Sequence, residues 1–190
     1  MKKAMAILCA LVLTLAGCTT RQTPIDETLF KAFGKPGGEA VELLGLTEEM
    51  ADGLYVREYS WCGLPMQTEL SMDGGVFGSA AAYTTLADDA ASVQTLRACA
   101  EQLVAQYGEP FAVRLCREVS DTAQDVTEEA FDAARMDVYF AYLADAETGG
   151  GVQLGFDLND RCRLIVSFLK CMQYGALRIG VTFSLSLLER

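Results

Sequence analysis

Carboxylates and thiols are the only reactive side chains present in quantity: the chain carries 26 aspartates and glutamates, seven cysteines and no histidine. The missing imidazole removes Ser-His-Asp and Cys-His nucleophile pairs, histidine metal sites and histidine pH switches. A carboxylate pair could hydrolyse a glycoside, one acid held protonated and its partner roughly 5–9 Å away. The adjacent acids Asp88-Asp89 and Glu128-Glu129, however, fall where expected helix N-termini favour negative charge. A thiol nucleophile at Cys62, beside Gly63 at a strand end, has no histidine to serve as its base. Asp157-Leu158-Asn159-Asp160 offers oxygen ligands but lacks the glycine and distal glutamate of a calcium loop, and a hairpin turn wants the same residues. Gly149-Gly150-Gly151 leads into a strand instead of a helix N-terminus, so it does not cradle phosphate. Neither a catalytic residue nor a metal or dissociable cofactor site is expected.

Recognition is better represented than catalysis. Tyr55, Arg57, Tyr59 and Trp61 alternate along an expected strand and so share one face. Tyrosine, tryptophan and arginine dominate the energetic centres of protein interfaces. The competing reading is an aromatic ladder half covered by a helix. Nucleic acid is not an expected partner, because the net charge is −11 and phosphate binding needs basic patches.

One cysteine has a defined setting. Met1-Lys2-Lys3 is a positive start, Ala4 to Ala16 is almost wholly apolar, and Leu15-Ala16-Gly17-Cys18 ends the run. An apolar stretch this short falls below the roughly 20 residues of a membrane span and matches a signal-peptide core. The four closing residues resemble the lipobox of bacterial lipoproteins. That resemblance implies diacylglyceryl transfer to the Cys18 thiol and cleavage between Gly17 and Cys18. Two acyl chains on one cysteine form a stable anchor, whereas a single chain holds only marginally. The implied location is a bacterial cell membrane or outer membrane, with the domain outside the cytoplasm. Thr19 follows Cys18, where some lipoproteins carry an inner-membrane retention aspartate. Cys9 leaves with the leader, and Cys62, Cys99, Cys116, Cys162 and Cys171 read either as small buried hydrophobes or as one or two disulfides with an odd thiol left over.

The elements that must position these groups follow from periodicity. Residues 1–17 form the leader, 18–25 a polar tether and 26–190 one α+β domain, with possible halves at 26–110 and 111–190. Short helices are expected over Asp26 to Phe33 and Glu39 to Leu44, each stopped by glycine, and a long one over Asp88 to Tyr107 with Val93, Leu96, Ala100, Leu103, Val104 and Tyr107 as its buried stripe. Strands are expected at Tyr55 to Trp61, Met66 to Met72, Val76 to Thr84 and Ala112 to Val119. Asp121 to Asp125 reads as a loop, and Thr127 as the cap of a short helix through Ala134. Alternation then predicts strands around Val138, Phe140 and Tyr142, from Val152 to Leu158, from Arg163 to Lys170 and from Leu177 to Leu187. The expected fold is an antiparallel meander with one long helix and a few short ones on a single face.

Phe33-Gly34-Lys35-Pro36, Glu39 and Leu44-Gly45-Leu46, ahead of a meander, resemble small envelope lipoproteins of the BamE type and the helix-and-sheet unit of the β-lactamase inhibitory protein. Both resemblances imply non-enzymatic protein binding and carry no functional residue across. The expectation is a lipid-tethered binding or envelope-assembly module with an envelope protein as partner. A histidine-free envelope hydrolase using a carboxylate pair is the alternative.

Overall fold

The structure, a computed structural model, describes residues 23–47, 49–120, 123–145 and 150–188. The leader, the lipobox and most of the tether lie outside the described residues. The chain forms helices α1 (Glu27–Ala32) and α2 (Gly37–Leu44), then strands β1 (Glu49–Ala51), β2 (Leu54–Trp61), β3 (Leu64–Ser71) and β4 (Ser79–Ala87). Helix α3 (Ala90–Tyr107) leads to β5 (Ala112–Ser120) and β6 (Ala123–Glu129). Helix α4 (Met136–Asp145) precedes β7 (Gly151–Asp157), β8 (Cys162–Gln173) and β9 (Ala176–Leu187). The nine strands of the described residues join one antiparallel sheet in the order β1-β2-β3-β4-β9-β8-β7-β5-β6. The fold is α+β.

Local chemistry accounts for the helix ends. Asp26 caps α1 by accepting from the Thr28 and Leu29 amides, and Asp89 caps α3 by accepting from Ser92 N at 2.8 Å. Gly45, at φ 61°, closes α2 in the left-handed region, where a side chain is strained. The stripe expected on α3 is the one it buries, through Leu96, Cys99, Ala100 and Leu103.

Helices cover one face of the sheet. On β9, Ile179, Val181, Phe183 and Leu185 point into the core, and Leu164, Val166 and Phe168 do the same on β8. Alternate residues Thr182, Ser184 and Ser167 are exposed or half-buried on the other face. Across the covered face α3 stands between α1 and α4. Tyr107 meets Phe30 of α1 at 6.5 Å between ring centroids, and Arg97 pairs with Asp137 of α4. The final strand β9 returns to lie beside β4 over Ser79–Ala87, which fuses the two possible halves into one sheet over one continuous core.

Three expectations are corrected. Thr127 and Glu128-Glu129 do not begin a helix; they belong to β6, which pairs with β5 along Val113↔Glu129 to Cys116↔Val126. The backbone bonds to β5 outweigh a local capping preference. Val138, Phe140 and Tyr142 lie on α4 and not on a strand. Met136, Tyr139, Phe140 and Leu143, all buried, have the three-and-four spacing of a helix, and that pattern prevails over a short alternation. The strand expected from Val76 starts later, at Ser79, after a 3-10 turn at Asp73–Gly75.

Candidate functional site: the open face of the sheet

The four residues singled out on β2 share a face, and it is the helix-covered one. Trp61 is fully buried: its indole N–H donates to Thr68 Oγ1 at 3.0 Å, and its ring lies 5.2 Å from that of Phe183. The incoming chain runs alongside it, with Ile25 paired to Trp61 and the Cys62 amide donating to Pro24 O. Tyr59 is 9% exposed, and its hydroxyl has no hydrogen-bond partner among the described residues. Burial pushes the Tyr59 phenol pKa up, outweighing the opposing charge of Arg57. Arg57 donates to the Leu44 carbonyl and, at 3.4 Å, to that of Gly45, so it caps the C-terminus of α2. Tyr55 is half-buried. The aromatic run is thus a core ladder closed by an arginine cap, and Tyr59 and Trp61 are withdrawn from any partner. Val56, Glu58 and Ser60, of opposite parity, mark the outward side.

That outward side belongs to a continuous surface. Register aligns one polar residue from each of eight strands: Glu58, Gln67, Tyr83, Thr182, Ser167, Gln153, Arg114 and Glu128. Several are hydrogen-bonded along the row. Tyr83 Oη donates to Gln67 Oε1 at 3.2 Å, and Gln153 Nε2 to Ser167 Oγ at 2.9 Å. Arg114 donates to Gln153 Oε1 at 3.4 Å and to Glu128 Oε2 at 2.6 Å. Cross-strand pairs of this kind stabilise a sheet and hold each side chain in place. Tyr83, Phe111, Val126 and Leu169 stand among them, each at least 36% exposed. Polar hydrogen-bonding groups are thus interspersed with exposed aromatic and aliphatic ones on this face.

Beside the row lies a cleft of about 230 Å³, lined by Phe111, Ala112, Arg114, Gln153, Gly155, Arg163 and Ile165. Phe111 lies over Gly155, where an added Cβ would come within 2.4 Å of the ring. The Arg163 guanidinium stacks 4.4 Å from the Phe111 ring centroid and also bonds Asp157 at 2.8 Å. No carboxylate lines this cleft. A second depression, over α1 and α2, contains Glu39 and Glu42, both exposed, with Lys31 and Lys35 around them. Neither depression brings two acids together in apolar surroundings.

The cysteines are all unpaired among the described residues. The Cys62 thiol lies against the Cys99 carbonyl at 3.8 Å. Its hydrogen bond, followed by burial, raises the pKa of the Cys99 thiol, which weakens it as a nucleophile. Asp157 ends β7 and Leu158 to Arg161 form the turn to β8, in which Asn159 Oδ1 accepts from the Arg161 amide at 2.8 Å. Among the described residues no three potential ligands cluster around a metal-sized space, and no helix is long and apolar enough to cross a membrane. Comparison with protein-family models, curated proteins and solved structures finds no match to this chain.

The polar row has no signature in the linear sequence. Its members come from strands that neighbour one another only because β9 pairs with β4 and β5 with β7.

Proposed function

We propose that this chain is an extracytoplasmic bacterial lipoprotein, held on a membrane by diacylglycerol on Cys18, whose domain binds an envelope protein through the open sheet face. The observation that carries the binding reading is the eight-residue polar row on a face that no helix among the described residues covers. It presents oriented donors, acceptors and exposed rings over a broad surface. The groups that would make a hydrolase are not gathered at either depression. The lipobox carries the anchor: Leu15-Ala16-Gly17-Cys18 closes a basic and apolar leader.

Two measurements test this reading. Cys18→Ala should accumulate as an uncleaved precursor without labelled fatty acid, and continued labelling would refute the anchor. Lipidated protein captured from detergent-solubilised envelope should retain a defined partner, lost in Tyr83→Ala/Phe111→Ala and kept in Leu43→Ala on the helical side. The same partner list in all three would exclude the open face as the binding surface.

A further inference from the structure

The β8–β9 hairpin ends in a feature that the fold itself does not use. Tyr174 and Gly175 form a two-residue turn with φ of 52° and 77°, the left-handed pair that hairpins usually fill with Asn-Gly. A side chain at such a φ is strained, yet Tyr174 is 99% exposed. Cys62-Gly63 makes a comparable turn, but the Cys62 side chain is half-buried and bonded to Cys99. Tyr174 has no such inward role. Met172, on the same tip, is 66% exposed.

The tip also projects. Pairing of β8 with β7 ends at Leu169↔Gly151, and pairing of β9 with β4 ends at Arg178↔Ala87. Lys170 N still donates to Gly150 O at 2.8 Å, and beyond it, from Cys171 to Leu177, the hairpin pairs only with itself among the described strands. The hairpin carries no carboxylate of its own from Arg161 to Leu188; Arg163 pairs with Asp157 and Lys170 with Asp88, so Arg178 is the basic residue near the tip.

Chain direction supplies the remaining observation. Ile25 runs antiparallel to Trp61, and Pro24 O accepts from Cys62 N, so the polypeptide reaches the domain at the β2–β3 turn. Register through β3, β4 and β9 puts that turn and the β8–β9 tip at the same end of the sheet. Five residues lie between Cys18 and Pro24, and the six steps from one to the other span about 20 Å in extended chain. The lateral step from β2 to β9 is three strand spacings, about 14 Å.

We infer that the β8–β9 tip, through Tyr174 and Met172, rests in the interface of the bilayer that holds the acyl chains of Cys18, and so orients the open sheet face towards partners beside it. The inference rests on the lipid-anchor reading. Tyrosine suits the headgroup region, where its ring is buried and its hydroxyl stays wet. Exposed Arg178 can meet lipid phosphate without a carboxylate from its own hairpin nearby.

The test uses full-length lipidated protein carrying Tyr174→Trp, in phosphatidylethanolamine–phosphatidylglycerol vesicles with brominated acyl chains. Trp61 is the single native tryptophan and is fully buried, so the unsubstituted protein gives an unquenched background. Mass measurement of the Cys18 peptide and vesicle flotation report the anchor separately. Quenching and a blue shift of the added emission in an acylated, floating protein are expected. Unquenched emission in such a protein overturns the tip contact and leaves the anchor standing; a protein without acyl chains overturns both. A photo-crosslinker at position 174 should yield lipid adducts in the native envelope, and a protein adduct in their place would also overturn the assignment.

Discussion

Tyr59 carries a buried hydroxyl without a hydrogen-bond partner among the described residues, so removing it should help the fold. Tyr59→Phe is expected to raise stability by about 1 kcal/mol, since an unsatisfied buried polar group costs that much or more; a lower urea midpoint would show that the hydroxyl has a partner. Lys170 is the opposite case, a buried cation whose needs are met. Its ammonium, on a side chain 4% exposed, reaches Asp88 at 3.1 Å and the Ala144 carbonyl at 3.2 Å, tying β8 to the start of α3 and the end of α4. The two partners are not equivalent, because Asp88 keeps 22% of its side chain in solvent. Asp88→Asn strands a buried charge and should cost about 3 kcal/mol. Lys170→Met leaves a carboxylate that water reaches and should cost less. Equal losses in denaturant titrations would contradict this asymmetry. Trp61 and Tyr59 show how a residue-level reading goes astray: their types suit an interface, but their alternation with Glu58 and Ser60 equally marks them as the inner face.

At the scale of elements, two glycines of β7 separate architecture from surface. A Cβ on Gly151 would lie 2.8 Å from the Phe168 carbonyl and 2.1 Å from Leu169 Cδ2, so the strand pair itself would have to move. Gly151→Ala should destabilise by about 1–3 kcal/mol, the range for overpacking. The atoms nearest a Cβ on Gly155 belong to the ring of Phe111, the far end of a side chain that is 46% exposed. Gly155→Ala should therefore leave the melting temperature nearly unchanged while displacing Phe111 and weakening partner capture. A larger thermal loss for Gly155→Ala than for Gly151→Ala would reverse this ranking. The long α3 helix and the terminal strand β9 were legible in advance because each carries a sustained period, of three-and-four in one and two in the other. The segment from Thr127 to Tyr142 was misread because its periods are short and its pairing with β5 is non-local.

Across the whole molecule, the resolved thiol and phenol shifts all point upward. Burial pushes Tyr107 up to about 12 and raises Tyr59, Cys116 and Cys162, while Cys99 is raised by its hydrogen bond with Cys62 and by burial. A raised folded pKa means that the native state holds its proton after the unfolded chain has released it. The associated stability is complete below the unfolded values, near 9 for thiols and 10 for phenols, and is lost as pH climbs through the folded ones. Lacking histidine, the chain has no imidazole to titrate between pH 5 and 8. Denaturation midpoints should therefore be nearly flat across that range and fall steadily above pH 9. A marked transition near pH 6.5 would contradict this account.

The sequence by itself determined the α+β class, the helix-forming stripe of α3, the inward parity of β9 and the absence of histidine chemistry. Local period and side-chain type are enough for those. Tertiary structure alone decided that Tyr59 and Trp61 face the core, that eight separate strands align one polar row, and that the Tyr174 tip shares an end of the sheet with the incoming chain. Each depends on which strand lies beside which. That order is set by burying the apolar faces of distant segments against one another, a cooperative property that no local spacing records.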